Sequence, residues 1–186
     1  MNLSNKLTVL RIILTPFYLA AMLIDFEYHY LVAVMIFIIA SVTDFLDGKI
    51  ARKNNLVTTF GKLCDPVADK MLTTAALLAF MHLGVCNIWI VMIVLTREFL
   101  VTSFRLVASA QGVVIPAGIL GKIKTVSQMI FSIVIMFMVH FAQTSGMDFA
   151  TLSLVSNILM GISAFLTVIS GIKYMVDGKK VIDFSM

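Results

Sequence analysis

The chain has 186 residues, 60% of them hydrophobic and 13% charged, with a mean hydropathy of +1.03, which excludes an ordinary soluble domain and indicates an integral membrane protein. At about 20 residues per transmembrane helix, that length holds six or seven spans and no separate soluble domain, so residues 1–186 are expected to form a single membrane domain. The net charge of +4 reads as a topology signal with some attraction to anionic lipid, and not as a sign of nucleic-acid binding.

In chain order, Met1 to Lys6 is expected to open an amphipathic segment lying along the cytoplasmic surface. The apolar run from Leu7 to Ile24 has no small-residue cleavage site and leads straight into further spans, so it reads as a retained helix and not a signal peptide. Polar breaks then delimit six helices: Thr8 to Ile24, Tyr30 to Lys53, Thr58 to His82, Ile88 to Ala110, Gly121 to Gln143, and Phe149 to Tyr174. The expected fold is therefore all-α, a polytopic membrane protein with six transmembrane helices and an N-terminal interfacial segment. Pro16 and Gly48 are tolerable inside membrane helices, where neighbours re-satisfy the backbone.

Basic residues keep to one side of this arrangement. The loops around Lys49 to Lys62 and Gln111 to Lys124, and the tail with Lys173, Lys179 and Lys180, carry them; the loops Asp25 to His29, Met81 to Asn87 and His140 to Asp148 have no Lys or Arg. The positive-inside rule then places both termini in the cytoplasm of a multi-pass cell-membrane protein. Cys64 and Cys86 fall at opposite ends of one span, too far apart for a disulfide within a subunit.

Against this apolar background, four acids stand out. Asp44 and Asp47 lie three residues apart at the cytoplasmic end of the second helix, and Asp65 and Asp69 four apart near the start of the third, so each pair shares a helix face. Carboxylates at a membrane are costly unless solvated, paired or metal-bound. Facing each other across a short loop, the two pairs offer oxygen ligands to a hard divalent cation such as Mg²⁺ or Mn²⁺. Four acids suit two ions better than one, and a pair of metals can clamp a phosphate. Cys64 stands alone, and His29, His82 and His140 sit at the far side, so no zinc site competes. Gly48 and Gly61 permit close backbone approach, Ala51 keeps the same face small, and Arg52 offers a fixed cation to a diphosphate. A solvated, ion-paired helix boundary is the plainer alternative, and a divalent-cation transporter is a rival of another class. The transporter reading is weakened because the acids gather near one face and no internal repeat is visible.

The residues from Asp44 to Asp69 match the pattern D-x2-D-G-x2-A-R-x8-G-x3-D-x3-D at every defined position. This resembles the signature of the CDP-alcohol phosphatidyltransferases, six-helix membrane enzymes that are usually homodimers and use divalent metal with a cytidine-diphosphate-linked substrate. The resemblance implies that Asp44, Asp47 and Asp65 are metal ligands and that Asp69 is both a metal ligand and the catalytic base. It also implies that Asp44, Asp47, Gly48, Ala51, Arg52, Thr58 and Gly61 line the cytidine-diphosphate pocket. The opening Asn5 to Arg11 is similar to bacterial members, which adds Thr8 and Arg11 to the cavity; read alone, these two are equally a helix cap and an interfacial anchor.

The acceptor is expected to be set by cations further along. Arg97 falls mid-span in the fourth helix, where a cation points to a functional cavity, and its neighbour Glu98 is expected to point partly away from it. Arg105 shares roughly the same face as Arg97, and Lys122 and Lys124 arrive from the next cytoplasmic loop. Together they could bind a dianionic acceptor phosphate, although the two lysines alone read more often as positive-inside anchors. Thr96 to Phe99, Gly121 to Thr125 and Gln128 are similar to the branch of the family that makes phosphatidylglycerol phosphate. The expected reaction joins CDP-diacylglycerol and sn-glycerol 3-phosphate, releasing CMP, with the active site open to the cytoplasm and the tails in membrane lipid. An inositol-phosphate acceptor is the runner-up.

Overall fold

The computed structural model describes residues 3–54, 59–113 and 118–179, with side chains described for 5–44, 64–113 and 118–179. Six helices account for nearly all of them: α1 (Leu3–Leu23), α2 (His29–Asn54), α3 (Thr59–His82), α4 (Ile88–Ala110), α5 (Ile119–Ser145) and α6 (Phe149–Lys179), with no strand among the described residues. The six expected helices are present, with ends shifted by a few residues. Where an interfacial segment was expected, Leu3 to Lys6 continue directly into α1.

Six transmembrane helices were expected; three, α1 from Asn5 onward, α5 and α6, are long and apolar enough to cross a membrane by length and composition. The apolar part of α2, His29–Asp44, is shorter. Charges interrupt the other two: α3 carries Asp65, Asp69 and Lys70, and α4 carries Arg97, Glu98 and Arg105. The four motif aspartates and Arg97, Glu98 and Arg105 thus all lie on the helices that depart from a long apolar run.

The inward face of α1 explains how this bundle is organised. Asn5, Thr8, Arg11, Thr15, Tyr18 and Met22 are buried at three- and four-residue spacing, while Leu10, Ile13 and Phe17 face outward. This is the reverse of a soluble amphipathic helix, with polar groups inside and apolar ones outside. The burial also changes character along the helix, from polar near the N-terminus to apolar beyond Tyr18. In α5 the same gradient runs from Lys124, Gln128 and Ser132 to Ile135, Met136 and Val139.

One half of the interior is consequently an apolar plug in which Tyr18, Phe37, Phe80, Val94, Met136 and Met160 belong to one cluster. The aromatic rings of Tyr18 and Phe37 lie 5.6 Å apart at its centre. The other half is lined by polar side chains and holds the candidate site. Among the described residues, α1 packs extensively against both α2 and α3, which have few contacts with each other, and α6 packs against α4 and α5. Contacts between α2 and α5 and between α3 and α4 join the two groups.

At the apolar end, hydrogen bonds seal the α3–α4 turn onto α6. The Asn157 carboxamide oxygen accepts from the Asn87 backbone N–H at 2.7 Å, and Ser153 Oγ donates to the Gly84 carbonyl at 3.1 Å. Asn87 in turn caps α4 by accepting from the Trp89 N–H. Gly84 has φ +73°, a conformation that a side chain would strain. Cys64 and Cys86 are both free thiols, as their placement suggested, and burial pushes the Cys86 thiol in this turn up to about 11. Replacing Asn157 with Leu removes the acceptor from the Asn87 N–H and should lower stability by about 1 kcal/mol. A downward shift of the thermal midpoint in detergent, with catalytic turnover retained, is the expected result.

Candidate functional site

The polar half of the interior is built outward from α1. Thr8 and Arg11 lie one turn apart on its buried face, fully covered by neighbouring helices. Thr8 Oγ1 donates to Asp65 Oδ1 at 2.7 Å, and Arg11 Nη1 donates to Asp69 Oδ1 at 2.6 Å. The same Arg11 nitrogen is ion-paired with Asp44 Oδ1. One helix therefore gathers carboxylates from two others. The acids were expected to face each other across a short loop, with Thr8 and Arg11 added to the cavity by the resemblance; in the structure α1 stands against both helices and makes the link.

The carboxylates differ in exposure. Arg11 is 2% exposed, whereas the Asp69 side chain is 52% exposed and Asp44 and Asp65 are intermediate. A half-exposed acid held by a buried cation has one oxygen fixed and leaves the rest of its surface to a ligand. Asp44 and Asp69 already converge on a single cationic nitrogen. Two hard oxygen donors aimed at one point fit a divalent cation of the Mg²⁺ or Mn²⁺ type. Among the described residues no cluster of three or more His, Cys, Asp or Glu side chains forms a metal cage, in keeping with Thr8 and Arg11 occupying positions between the acids.

The remaining motif residues are placed by backbone only. Asp47, Gly48, Ala51 and Arg52 continue α2, and Gly61 lies in the first turn of α3; their side-chain surroundings lie outside the described residues, as does Thr58 altogether. Asp47 is one turn beyond Asp44 on the same helix.

The expected acceptor cations divide into two kinds. Lys124 is buried on α5 and ion-paired with Glu98 of α4. Arg97 Nη1 also donates to Glu98 Oε1, at 3.1 Å, and Arg97 Nη2 donates to Ser170 Oγ of α6 at 2.9 Å. Glu98 was expected to diverge from Arg97 and instead serves both cations. Helix geometry separates adjacent side chains at Cβ, but the long arms of Arg and Glu bend back over one another, and burial rewards the pairing. Arg105 and Lys122 are exposed; the Arg105 guanidinium lies 5.8 Å from the centre of the Tyr174 ring, at cation–π range. Gln128, one turn after Lys124, is buried and its side-chain oxygen has no hydrogen-bond partner among the described residues.

Lys70 follows Asp69 on α3, and α3 packs against α4. The acid cluster on α1, α2 and α3 and the cation cluster on α4, α5 and α6 therefore lie on neighbouring helices. Sequence reading passed over two participants here: Glu98 as a shared anion and Ser170 as a partner on α6. The spacing of Ser163, Thr167 and Ser170 along one face of an otherwise apolar helix was the available signal for the last. By contrast, a cavity of about 630 Å³ lined by Asp25, Tyr28, His29 and His140 opens at the opposite end of the bundle, away from the aspartates.

Comparison with known proteins accords with this geometry. The chain is 40% identical to CDP-diacylglycerol–glycerol-3-phosphate 3-phosphatidyltransferase of Bacillus subtilis (strain 168), with 93% of each chain covered. Proteins of the same name from Rickettsia bellii (strain RML369-C) and Rickettsia prowazekii (strain Madrid E) are 37% and 36% identical, with 96% and 93% of each chain covered. The sequence model of the CDP-alcohol phosphatidyltransferases matches residues 1–169, a span that takes in the aspartates, Arg11, Arg97, Glu98 and Lys124. With the four-aspartate motif complete and three of its acids drawn together around α1, the chain belongs to the CDP-alcohol phosphatidyltransferase family.

Proposed function

We propose that this protein transfers the phosphatidyl group of CDP-diacylglycerol to sn-glycerol 3-phosphate, giving phosphatidylglycerol phosphate and CMP in phospholipid biosynthesis. The observation that carries the reading is the adjacency of two oppositely charged clusters in one polar half-bundle. Asp44, Asp65 and Asp69 meet on α1, and Arg97 and Lys124 meet on Glu98. The relatives' shared name specifies the same two substrates.

The six helices are read as six spans, with both termini and the polar half facing the cytoplasm of the cell membrane and the apolar plug toward the other face. The diacylglycerol tails stay in lipid while the nucleotide and acceptor meet at the polar end. Two divalent ions, Mg²⁺ or Mn²⁺, held by Asp44, Asp47, Asp65 and Asp69, would supply charge neutralisation at the diphosphate. The cytidine diphosphate is held by Thr8, Asp44, Asp47, Gly48, Ala51, Arg52, Thr58 and Gly61, and a second copy of the chain completes a homodimer.

Asp69, the most open of the three described acids, removes the proton from the acceptor hydroxyl. The freed oxygen attacks the β-phosphorus, a new P–O ester bond forms, and the bond to CMP breaks. Arg97, Arg105, Lys122 and Lys124 hold the acceptor's own phosphate, with Arg suited to bidentate contact. Glu98 keeps the buried cations in place without cancelling all of them. An uncharged acceptor would have little use for this group of cations, which favours glycerol 3-phosphate over a free alcohol.

Three outcomes test this reading. General-base catalysis contributes about 10²–10⁴-fold, so purified Asp69→Asn should lose CMP release by at least about that lower factor while still binding CDP-diacylglycerol; near-normal turnover would remove Asp69 as the base. Arg105→Ala should raise the KM for glycerol 3-phosphate about tenfold, the size of one lost charged hydrogen bond, and leave the KM for CDP-diacylglycerol nearly unchanged. Equal rises for both substrates would contradict the assignment. Finally, Arg11→Gln leaves Asp44 and Asp69 without their shared cation and should lower stability in EDTA by about 1–3 kcal/mol, less than for a fully buried pair because Asp69 is half exposed. Added Mn²⁺ should recover part of the lost thermal midpoint.

A further inference from the structure

Arg97 reaches α6 as well as Glu98, and the way α6 receives it is specific to two residues. Ser170 Oγ accepts from Arg97 Nη2 at 2.9 Å and donates its own hydrogen to the Thr167 carbonyl at 3.0 Å. The hydroxyl is thereby oriented, with its lone pairs turned to the guanidinium. Next to it, Gly171 leaves the space through which the arginine passes. A Cβ on Gly171 would lie 2.9 Å from Arg97 Cγ, 3.4 Å from Nε and 3.7 Å from Cδ. The first of these is closer than real Cβ contacts allow, and the atom concerned belongs to the inner part of the side chain, not its free end.

Gly171 has no unusual backbone conformation, since it is absent from the positive-φ glycines. Its requirement is space alone. Gly161, ten residues earlier on α6, would meet nothing within 4 Å if it gained a Cβ. Arg97 Nε is buried there and has no hydrogen-bond partner among the described residues. A guanidinium drawn in this tightly at the cost of one unmet donor is being placed, since packing alone would favour satisfying it.

We propose that Ser170 and Gly171 form a seat that positions Arg97, and that this seat is a determinant of the enzyme's preference for a phosphorylated acceptor. The inference rests on the reading of Arg97 as an acceptor-phosphate ligand. Ser170 sets the direction of the guanidinium plane, and Gly171 sets how deep the side chain lies against α6. Moving the guanidinium by the width of a methyl group takes its fork off the acceptor phosphate, while the nucleotide site on α1, α2 and α3 is untouched. Both are positioning residues: they act through Arg97 and do not touch the substrate.

The bland alternative is helix packing, in which small residues simply let α4 and α6 approach. Steady-state kinetics and thermal midpoints on full-length protein in detergent separate the two. Gly171→Ala should raise the KM for glycerol 3-phosphate about tenfold or more, and Ser170→Ala several-fold, the scale of misplacing or losing one charged contact. The KM for CDP-diacylglycerol should stay within about twofold for both. Ser170→Thr, which keeps the hydroxyl, should restore acceptor KM, and Gly161→Ala should behave as the unaltered protein. The inference is overturned if Gly171→Ala and Ser170→Ala raise both KM values together, or lower the thermal midpoint with the acceptor KM unchanged. If Gly171→Ala does not fold, Ser170→Ala against Ser170→Thr decides alone. Arg97→Ala distinguishes the underlying reading: an unchanged acceptor KM there removes Arg97 as a phosphate ligand and the seat with it, whereas a large rise with silent Ser170 and Gly171 variants rejects only the seat.

Discussion

The contact between Arg11 and the two carboxylates of Asp44 and Asp69 is the interaction on which the rest of the site depends. Among the described residues α2 and α3 have little direct contact, and both lean on α1. Two acids from separate helices would repel at close range in a low-dielectric interior. A single buried guanidinium between them converts that repulsion into attraction, which solvent screens in part because Asp69 is half exposed. Thr8 adds a hydrogen bond to Asp65 one turn away. A helix that carries none of the motif aspartates thus brings three of them together.

The bundle accommodates this charge by separating its interior into two halves. Tyr18, Phe37, Phe80, Met136 and Met160 close one half with apolar packing. Asn5, Thr8, Arg11, Lys124 and Gln128 line the other with groups that need partners or ligands. Apolar residues such as Phe17, Phe99 and Phe165 face outward, where lipid replaces water as solvent. Since lipid gives no hydrophobic drive for apolar side chains to turn inward, the buried face is free to be polar. A reaction between two anionic substrates requires that freedom.

Charge balance within the cation cluster follows the same logic at a smaller scale. Arg97 and Lys124 would each be costly alone at this depth. Glu98 accepts from both, and Ser170 takes a further Arg97 donor. The local sum remains positive, with Arg105 and Lys122 exposed. The buried cations are stabilised in place without being fully neutralised.

How much of this was legible in the sequence depended on whether the information was local. Hydropathy and the spacing of polar breaks determined six helices and a membrane environment, because chain length and burial of the backbone in lipid leave few alternatives. The interval from Asp44 to Asp69 pointed to the reaction class through its resemblance to the family signature, while helical spacing by itself showed that each pair of acids shares a face and suits a divalent cation. Helical period says which residues share a face and nothing about what that face meets. Only the tertiary structure decided that Arg11 would stand between Asp44 and Asp69, that Glu98 would fold back to Arg97 and take Lys124 as well, and that Gly171 would make room for Arg97. Those pairings join residues from 26 to 74 positions apart, or bend neighbours together against their Cβ directions, and are set by how the helices pack.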